Sequence, residues 1–211
     1  MSDRIASILG FLTAIDALKE VERRTYVGVE ESMRRENDAE HTWHMCMFAL
    51  LLQREIGEQV DMLRVLQMIL IHDLVEIHAG DTFAYDAAGQ AGKAEREEEA
   101  ARRLFSLLPP DLESELYGLW REFEELATPE AHFSNAVDRM QAFVQNVSTG
   151  GKAWREHGVT KEQVLQRNAV WNTRNESFAA LFQTLWSVAE AADTFSVESL
   201  QQERQPPQLP R

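Results

Sequence analysis

An apolar helical run that ends in a His-Asp pair constrains this chain more than any other feature. The run is Val65–Ile71; His72 and Asp73 follow it directly, and Glu76 comes one helical turn after His72. An adjacent imidazole and carboxylate are costly to bury unless another group compensates them, and a metal ion is the usual compensation. We therefore expect a divalent-metal site at the end of this run.

Two further residues complete a candidate set of four ligands. His41 lies at the start of a predicted helix, and Asp138 lies within a predicted apolar helix. With His72 and Asp73 they offer two imidazoles and two carboxylates from three helices, which is how helical bundles build metal sites. Such a set suits one divalent ion, Mn²⁺, Co²⁺, Fe²⁺ or Mg²⁺ with Zn²⁺ also open, and leaves about two positions for water and substrate. The alternative for Asp138 is an ion pair with an arginine.

Three charged residues are candidates for the chemistry at this site. Glu76 shares a helix face with His72, so it is placed to accept a proton from a metal-activated water, or only to orient His72. Asp81 could orient the same water or protonate the leaving oxygen, and its alternative is a loop cap. Arg24 could hold a phosphate group through its guanidinium, with Arg23 among the arginines that compete for that role.

Composition limits the class of protein and of partner. The 211 residues carry a formal net charge of −14, which argues against binding to a nucleic-acid polymer. Cys46 is the single cysteine, so no intrachain disulfide forms and a reducing, cytoplasmic location is expected. No run approaches the roughly 20 apolar residues that cross a bilayer, and the N-terminus lacks the apolar core of a secretory signal. We expect a soluble protein with a small-molecule substrate and no membrane contact.

Hydrophobic periodicity predicts helix almost throughout. Asp61 is suited to cap a helix from Met62 to about Ile77, and a last long helix is predicted from about Thr160 to Ala192. The stretch from Lys19 to Asp38 breaks the pattern and is predicted to be an irregular connection. Nothing alternates clearly enough to indicate a sheet, so the predicted fold class is all-α. Three tryptophans on apolar helical stripes are predicted to be core residues: Trp43, Trp120 and Trp171.

One domain accounts for most of the chain. We predict a single helical domain over residues 1–195, with the metal site between helices and the catalytic motifs within about residues 24–140. The end of the sequence is rich in proline and glutamine. Residues 196–211 are therefore predicted to form a flexible tail.

The ordered motifs resemble those of the HD-domain metal-dependent phosphohydrolases, and they are closest to the 5′-deoxynucleotidase branch of that family. The main motifs are Glu40-His41, His72-Asp73-x-x-Glu76-x-x-x-Gly80-Asp81 and the distant Asp138. The resemblance extends through Lys93-x-x-x-Glu97-Glu98-Glu99-Ala100, Leu107-Leu108-Pro109 and Glu115-Leu116-Tyr117-x-Leu119-Trp120. It covers roughly residues 10–150.

The resemblance implies an HD-domain helical bundle that acts as a homodimer on (deoxy)nucleoside 5′-monophosphates and releases nucleoside and phosphate. The metal ligands that it implies are His41, His72, Asp73 and Asp138. It further implies that Glu76 and Asp81 act on the nucleophilic water, and that Arg24-Thr25 matches a phosphate-contacting segment. Two features depart from the family pattern: Gln141 stands where a glutamate is usual, and the connection Tyr26–Glu36 is longer than in the simplest members.

Two other functions remain possible at the level of sequence. The chain could hydrolyse another nucleotide phosphoester or a pyrophosphate, although it offers no surplus histidine cluster for the second metal that cyclic dinucleotides would typically need. It could instead be a non-catalytic nucleotide-sensing protein that keeps the metal for stability. The presence of Glu76 and Asp81 argues against that second alternative.

Overall fold

Helices dominate the computed structural model, which describes residues 3–57, 59–174, 176–192 and 194–195. The α-helices within these residues are α1 (Asp3–Ala14), α2 (Asp38–Ile56), α3 (Met62–Ile71), α4 (Glu76–Ala79), α5 (Ala87–Gln90), α6 (Lys93–Phe105), α7 (Pro110–Glu125), α8 (Pro129–Ser148), α9 (Lys152–Glu156), α10 (Lys161–Arg174) and α11 (Glu176–Ala191). Two strands, β1 (Glu22–Val27) and β2 (Arg34–Asn37), pair in a two-stranded sheet. The all-α prediction is confirmed. The predicted tail over 196–211 lies outside the described residues.

The described residues fall into two compact units. The first unit is drawn from Met1–Arg23, Asn37–Leu50 and Gln59–Asn135. In it α3 packs on α7, and α6 packs on α1, α4 and α7. Its core is apolar and includes Phe11, Met68, Leu104, Phe105, Trp120 and Phe123. The single domain over 1–195 stays a prediction.

The second unit is drawn from Arg24–Glu36, Leu51–Glu58 and Ala136–Arg211. Here α10 packs against α11. An aromatic cluster forms the core, in which the ring of Phe143 lies 5.6 Å from that of Trp154 and 5.8 Å from that of Phe182. Rings at such separations attract one another beyond the burial of their apolar area.

The segment Lys19–Asp38 is more ordered than the sequence predicted. It contains the end of a 3-10 helix (Ile15–Glu20), β1, a second short 3-10 helix (Glu30–Ser32) and β2. The sheet was not predicted because charged residues occupy half of β1 and three of the four positions of β2, so neither strand shows the apolar alternation by which strands are identified.

Contacts within the second unit explain why glutamine, and not the glutamate of the family pattern, suits position 141. Its Nε2 donates to Oε1 of the buried Glu36 at 2.8 Å, and Thr25 Oγ1 donates to the other carboxylate oxygen at 2.8 Å. A glutamate at position 141 would place two carboxylates in contact without water, and one of them would then have to be protonated. The amide of Gln141 avoids that repulsion.

The prediction that the tryptophans are core residues is correct for Trp120 and wrong for Trp43. Trp120 is 3% exposed, as predicted for a core residue, whereas Trp43 is 66% exposed and its assignment to the core was wrong. Periodicity locates an apolar stripe on a helix but does not say whether another element of the same chain covers it. The side chain of Trp171 lies outside the described residues. None of the described helices has both the length and the apolar character needed to cross a membrane.

Candidate metal centre

Three of the four predicted ligands converge in the first unit. Nε2 of His72 lies 3.1 Å from Oδ2 of Asp73, and Nε2 of His41 lies 3.7 Å from the same oxygen. One donor atom from each of the three side chains lies within 4.8 Å of the other two. Metal–ligand bonds of about 2.0–2.2 Å hold neighbouring donors roughly 3 to 4 Å apart, so this group has the spacing of a shared divalent cation.

A change of helical winding lets the adjacent His72 and Asp73 share this site. The predicted helix from Met62 to about Ile77 is interrupted: α3 ends at Ile71, a turn follows, and α4 begins at Glu76. Across the turn Leu74 N–H donates to the Ile71 carbonyl and Glu76 N–H to the Asp73 carbonyl, so the chain makes i→i+3 bonds. The tighter winding changes where successive side chains point, and both ligands sit in or beside it.

The backbone fixes the proton of His72 on the nitrogen that faces away from the site. Nδ1 of His72 lies 2.7 Å from the carbonyl oxygen of Ile69. Because a carbonyl only accepts, Nδ1 carries a hydrogen, and Nε2 is the ring nitrogen that faces Asp73 and would bind a metal ion. Metal-binding histidines are commonly oriented in this way by a hydrogen bond from the other ring nitrogen.

Arg23, which the sequence offered only as a competitor of Arg24, contacts one of the predicted metal ligands. Its Nη1 donates to Oδ2 of Asp73 at 2.8 Å and to Oδ1 of Asp38 at 3.0 Å, and the three side chains are almost fully buried. Burial lowers the pKa of the Arg23 guanidinium, but the two carboxylates outweigh burial and raise it. The predicted phosphate ligand, Arg24, is the next residue on β1; it belongs to the second unit and is exposed. Strand geometry turns adjacent side chains to opposite faces, which separates the two arginines.

Glu76 lies in the same unit and is buried, with 6% of its surface exposed. Burial first, and then the charges of Asp73, Asp38 and Asp81, raise the pKa of its carboxyl group well above the ordinary value. Asp81 therefore interacts electrostatically with Glu76, although Asp81 itself is only half-buried. The structure thus brings both predicted catalytic carboxylates to the neighbourhood of the candidate ligands.

The charges of the site fit a bound cation. Asp38, Asp73 and Glu76 form a second group of carboxylates with close oxygen atoms, and Arg23 is the cation bonded to two of them. Burial and the nearby Asp73 raise the pKa of Asp38 to about 6. Burial opposes ionisation of Asp73 as well, yet His72, Arg23 and His41 lower its pKa. A divalent ion on His41, His72 and Asp73 would supply the positive charge that one arginine does not give to three neighbouring carboxylates.

Asp138, the fourth predicted ligand, lies on α8 in the second unit and is half-buried. Its role as a ligand stays a prediction, as do the roles of Glu76, Asp81 and Arg24. His41, His72 and Asp73 are the predicted residues that the structure brings within metal-binding distance of one another.

Comparison with known proteins relates this site to a family. The HD domain family matches residues 15–178. The 5′-deoxynucleotidase HDDC2 of Bos taurus is 34% identical over 146 residues, which are 69% of this chain and 69% of that protein. The protein of the same name from Homo sapiens is 32% identical over 139 residues, 66% of each chain.

Solved structures agree with the sequence comparison. A protein described as a predicted metal-dependent phosphohydrolase from Magnetospirillum magnetotacticum MS-1 superposes with a TM-score of 0.81 at 42% identity, over 92% of this chain and 96% of that one. A Pyrococcus horikoshii OT3 protein, 22% identical, shares the fold with a TM-score of 0.57 over 86% of this chain and 98% of that one. These matches confirm the resemblance inferred from the motifs, and the chain belongs to the HD domain family.

Proposed function

We propose that this protein is a divalent-metal-dependent 5′-deoxynucleotidase that converts deoxynucleoside 5′-monophosphates to nucleoside and inorganic phosphate. The observation that supports it most directly is the convergence of two imidazole nitrogens and one carboxylate oxygen, from His41, His72 and Asp73, in one buried site. The relatives of the family that bear the name 5′-deoxynucleotidase support the choice of substrate.

The donor set suits one divalent ion, Mn²⁺, Co²⁺, Fe²⁺, Mg²⁺ or Zn²⁺. His41, His72 and Asp73 would hold it, and we propose Asp138 as the fourth ligand. When bound, such an ion supplies a Lewis acid that polarises the phosphoryl oxygen and lowers the pKa of water.

Glu76 is proposed to accept the proton of the attacking water. A carboxylate with a raised pKa takes up a proton more readily near neutral pH, and burial among other carboxylates raises the pKa of Glu76. Within the described part of the chain, Oε2 of Glu76 makes no hydrogen bond, so this oxygen is available to a water molecule. Asp81 is proposed to orient that water or to protonate the leaving 5′-oxygen.

Arg23 is proposed to hold Asp73 and Asp38 in place through its two hydrogen bonds. It thereby keeps Asp73 ionised and directed at the two histidines. Arg24 remains our proposed contact for the substrate phosphate. Its exposed guanidinium is free to move towards an incoming anion, which Arg23, fixed between two carboxylates, is not.

A homodimer and a cytoplasmic location complete the proposal. Three apolar side chains, Trp43, Met47 and Leu50, lie one or two turns apart on α2 and are 66%, 36% and 51% exposed. A contiguous apolar stripe of this kind favours burial against a second copy of the chain. A single, half-buried Cys46 suits a reducing compartment.

Reconstitution of the metal-free protein tests the proposed function. After chelation, the protein is loaded with each of the five ions and assayed for phosphate release from deoxynucleoside 5′-monophosphates, ribonucleoside 5′-monophosphates, 3′-monophosphates, cyclic nucleotides and nucleoside diphosphates. We expect the highest kcat/KM with deoxynucleoside 5′-monophosphates. Preference for a cyclic or diphosphate substrate would support the alternative hydrolase, and nucleotide binding without turnover by any loaded form would support the sensing protein.

A further inference from the structure

An ion pair at the start of α6, a helix that packs against α4, belongs to none of the roles assigned above. Nζ of Lys93, the first residue of α6, lies 3.2 Å from Oε1 of Glu97. The side chain of Lys93 is 32% exposed, whereas that of Glu97 is 6% exposed. The pair therefore places the partly exposed ammonium group of Lys93 next to the buried carboxylate of Glu97.

Helix stability does not explain this pair. A cation in the first turn of a helix opposes the helix dipole, which favours negative charge there. The order is also unfavourable, because a glutamate four residues before a lysine stabilises a helix better than the reverse arrangement found in Lys93 and Glu97. Burying Glu97 adds a desolvation cost, which raises the pKa of its carboxyl group despite the nearby Lys93.

The pair is close to the proposed catalytic carboxylate. α6 packs against α4, and the first residue of α4 is the buried Glu76. The carboxylates of Glu97, Glu76 and Glu124 outweigh the effect of burial and raise the pKa of the Lys93 ammonium group, so Lys93 stays charged. The charge of Asp73 also acts on Glu97 and raises its pKa.

A dianionic phosphate in so acidic a site needs more positive charge than Arg24, the contact proposed above, supplies alone. Nη1 of Arg23 already donates hydrogen bonds to the carboxylates of Asp73 and Asp38. Lys93 has three N–H donors, and its one ion pair among the described residues is with Glu97. Its remaining donors and its partly exposed head can therefore serve an incoming anion.

We propose that Lys93 is a phosphate-contacting residue and that Glu97 is the positioning residue that holds its ammonium group beside Glu76. The ligand is the phosphate group of a nucleoside monophosphate, so this inference deepens the proposed function and rests on it. Lys93 then contributes to binding of substrate and of product phosphate.

Phosphate binding by the magnesium-loaded protein tests the proposal without requiring turnover. Inorganic phosphate is titrated calorimetrically into wild type, Lys93→Met, Lys93→Arg and Lys161→Met. Lys161 is the matched control, because it also begins a helix, α10, and also pairs with a glutamate, Glu190. Magnesium affinity is measured for each variant.

We expect phosphate affinity to fall at least about tenfold in Lys93→Met, to recover largely in Lys93→Arg and to stay unchanged in Lys161→Met, with equal magnesium affinity throughout. With deoxyadenosine 5′-monophosphate as substrate, the loss should fall on KM more than on kcat. The double variant Lys93→Met/Glu97→Gln removes both charges without leaving Glu97 unpaired, so it replaces Lys93→Met if that variant does not fold. Wild-type phosphate affinity in the folded variant would overturn the proposal. Failure of wild type to turn over any nucleotide would overturn the proposed function instead, and the phosphate titration would still decide the role of Lys93.

Discussion

Arg23 donates to the same oxygen of Asp73, Oδ2, that lies nearest to both histidines of the candidate metal centre. A metal ion held by the two histidines and Asp73 would therefore share this oxygen with the guanidinium group of Arg23. In the absence of metal, Arg23 supplies the positive charge that keeps the buried carboxylates together. The relationship makes the stability of the site depend on two cations that partly substitute for one another.

Arg23→Met is expected to destabilise the metal-free protein by about 3 to 5 kcal/mol, because it leaves Asp38 and Asp73 buried without their shared partner. Saturating Mn²⁺ should reduce that loss, since the ion restores positive charge next to Asp73. Chemical denaturation with and without Mn²⁺ measures the difference. The neighbouring Arg24→Met, at an exposed position, should change stability by no more than about 0.5 kcal/mol in either condition. An equal loss in Arg23→Met with and without metal would contradict this account.

Asp138→Asn tests the fourth ligand, whose role the sequence predicts. An amide is a weaker ligand than a carboxylate, so loss of a true ligand should weaken Mn²⁺ binding by tenfold or more and reduce the rise in melting temperature that the ion produces. His41→Ala should abolish that rise. His132→Asn, at an exposed position on the same helix α8 as Asp138, is the control and should behave as wild type. Wild-type metal affinity in Asp138→Asn would remove Asp138 from the ligand set.

His72 and Asp73 could be predicted from a local sequence signal, whereas His41 was predicted only together with the other positions of the set. His72 and Asp73 end an apolar run, and the structure places both in the turn that closes α3. Asp61 was likewise predicted correctly as a helix cap: its carboxylate accepts from the backbone N–H groups of Leu63 and Arg64.

Features that depend on distant packing could not be predicted in this way. Arg23 and Arg24 are adjacent and chemically identical, and only the course of β1 decides which of them meets Asp73, 50 residues away in the chain. The hairpin itself pairs two charged segments whose sequences give no strand signal. The exposed position of Trp43 depends on which elements of the fold cover α2, which no local pattern records.

Glu76→Gln separates metal binding from catalysis. Because the proposed proton acceptor is not in the predicted ligand set, the variant should bind Mn²⁺ near stoichiometrically while kcat falls by about 10²- to 10⁴-fold. Elemental analysis and phosphate release from a deoxynucleoside 5′-monophosphate measure the two quantities. Glu95→Gln, at an exposed position on α6, should leave both unchanged. Activity within a few-fold of wild type in Glu76→Gln would exclude Glu76 as the base.

Glu122 gives the first unit a pH-dependent contribution to stability. Hydrogen bonds from Arg64, and one from Thr128, outweigh partial burial and lower the pKa of the Glu122 carboxyl group in the folded state. A carboxylate with a lowered folded-state pKa stabilises the fold above its unfolded pKa of about 4.3, and that contribution is lost as the pH falls through the folded value. Glu122→Gln should therefore be less stable than wild type by about 1 kcal/mol at pH 7, and the difference should shrink below about pH 4.

Urea denaturation at a series of pH values measures this difference. Glu125→Gln is a suitable comparison, because Glu125 pairs with Arg121 on the exposed face of the same helix α7, and an exposed ion pair contributes little to stability. A difference between wild type and Glu122→Gln that stays constant from pH 7 to pH 3 would show that ionisation of Glu122 is not its cause.

Trp43→Glu tests whether the exposed stripe on α2 is the proposed dimer interface. A large apolar side chain that is 66% exposed contributes little to the fold of one chain, so its replacement should leave the circular dichroism spectrum unchanged. A glutamate at the centre of an apolar interface would be buried without a partner, and the wild-type dimer should then dissociate to monomer in light scattering. Leu12→Glu introduces the same charge at a 53% exposed position on α1 and should preserve the oligomeric state. A wild-type mass of one chain, or a dimer that survives in Trp43→Glu, would place the stripe of Trp43, Met47 and Leu50 outside any homodimer interface.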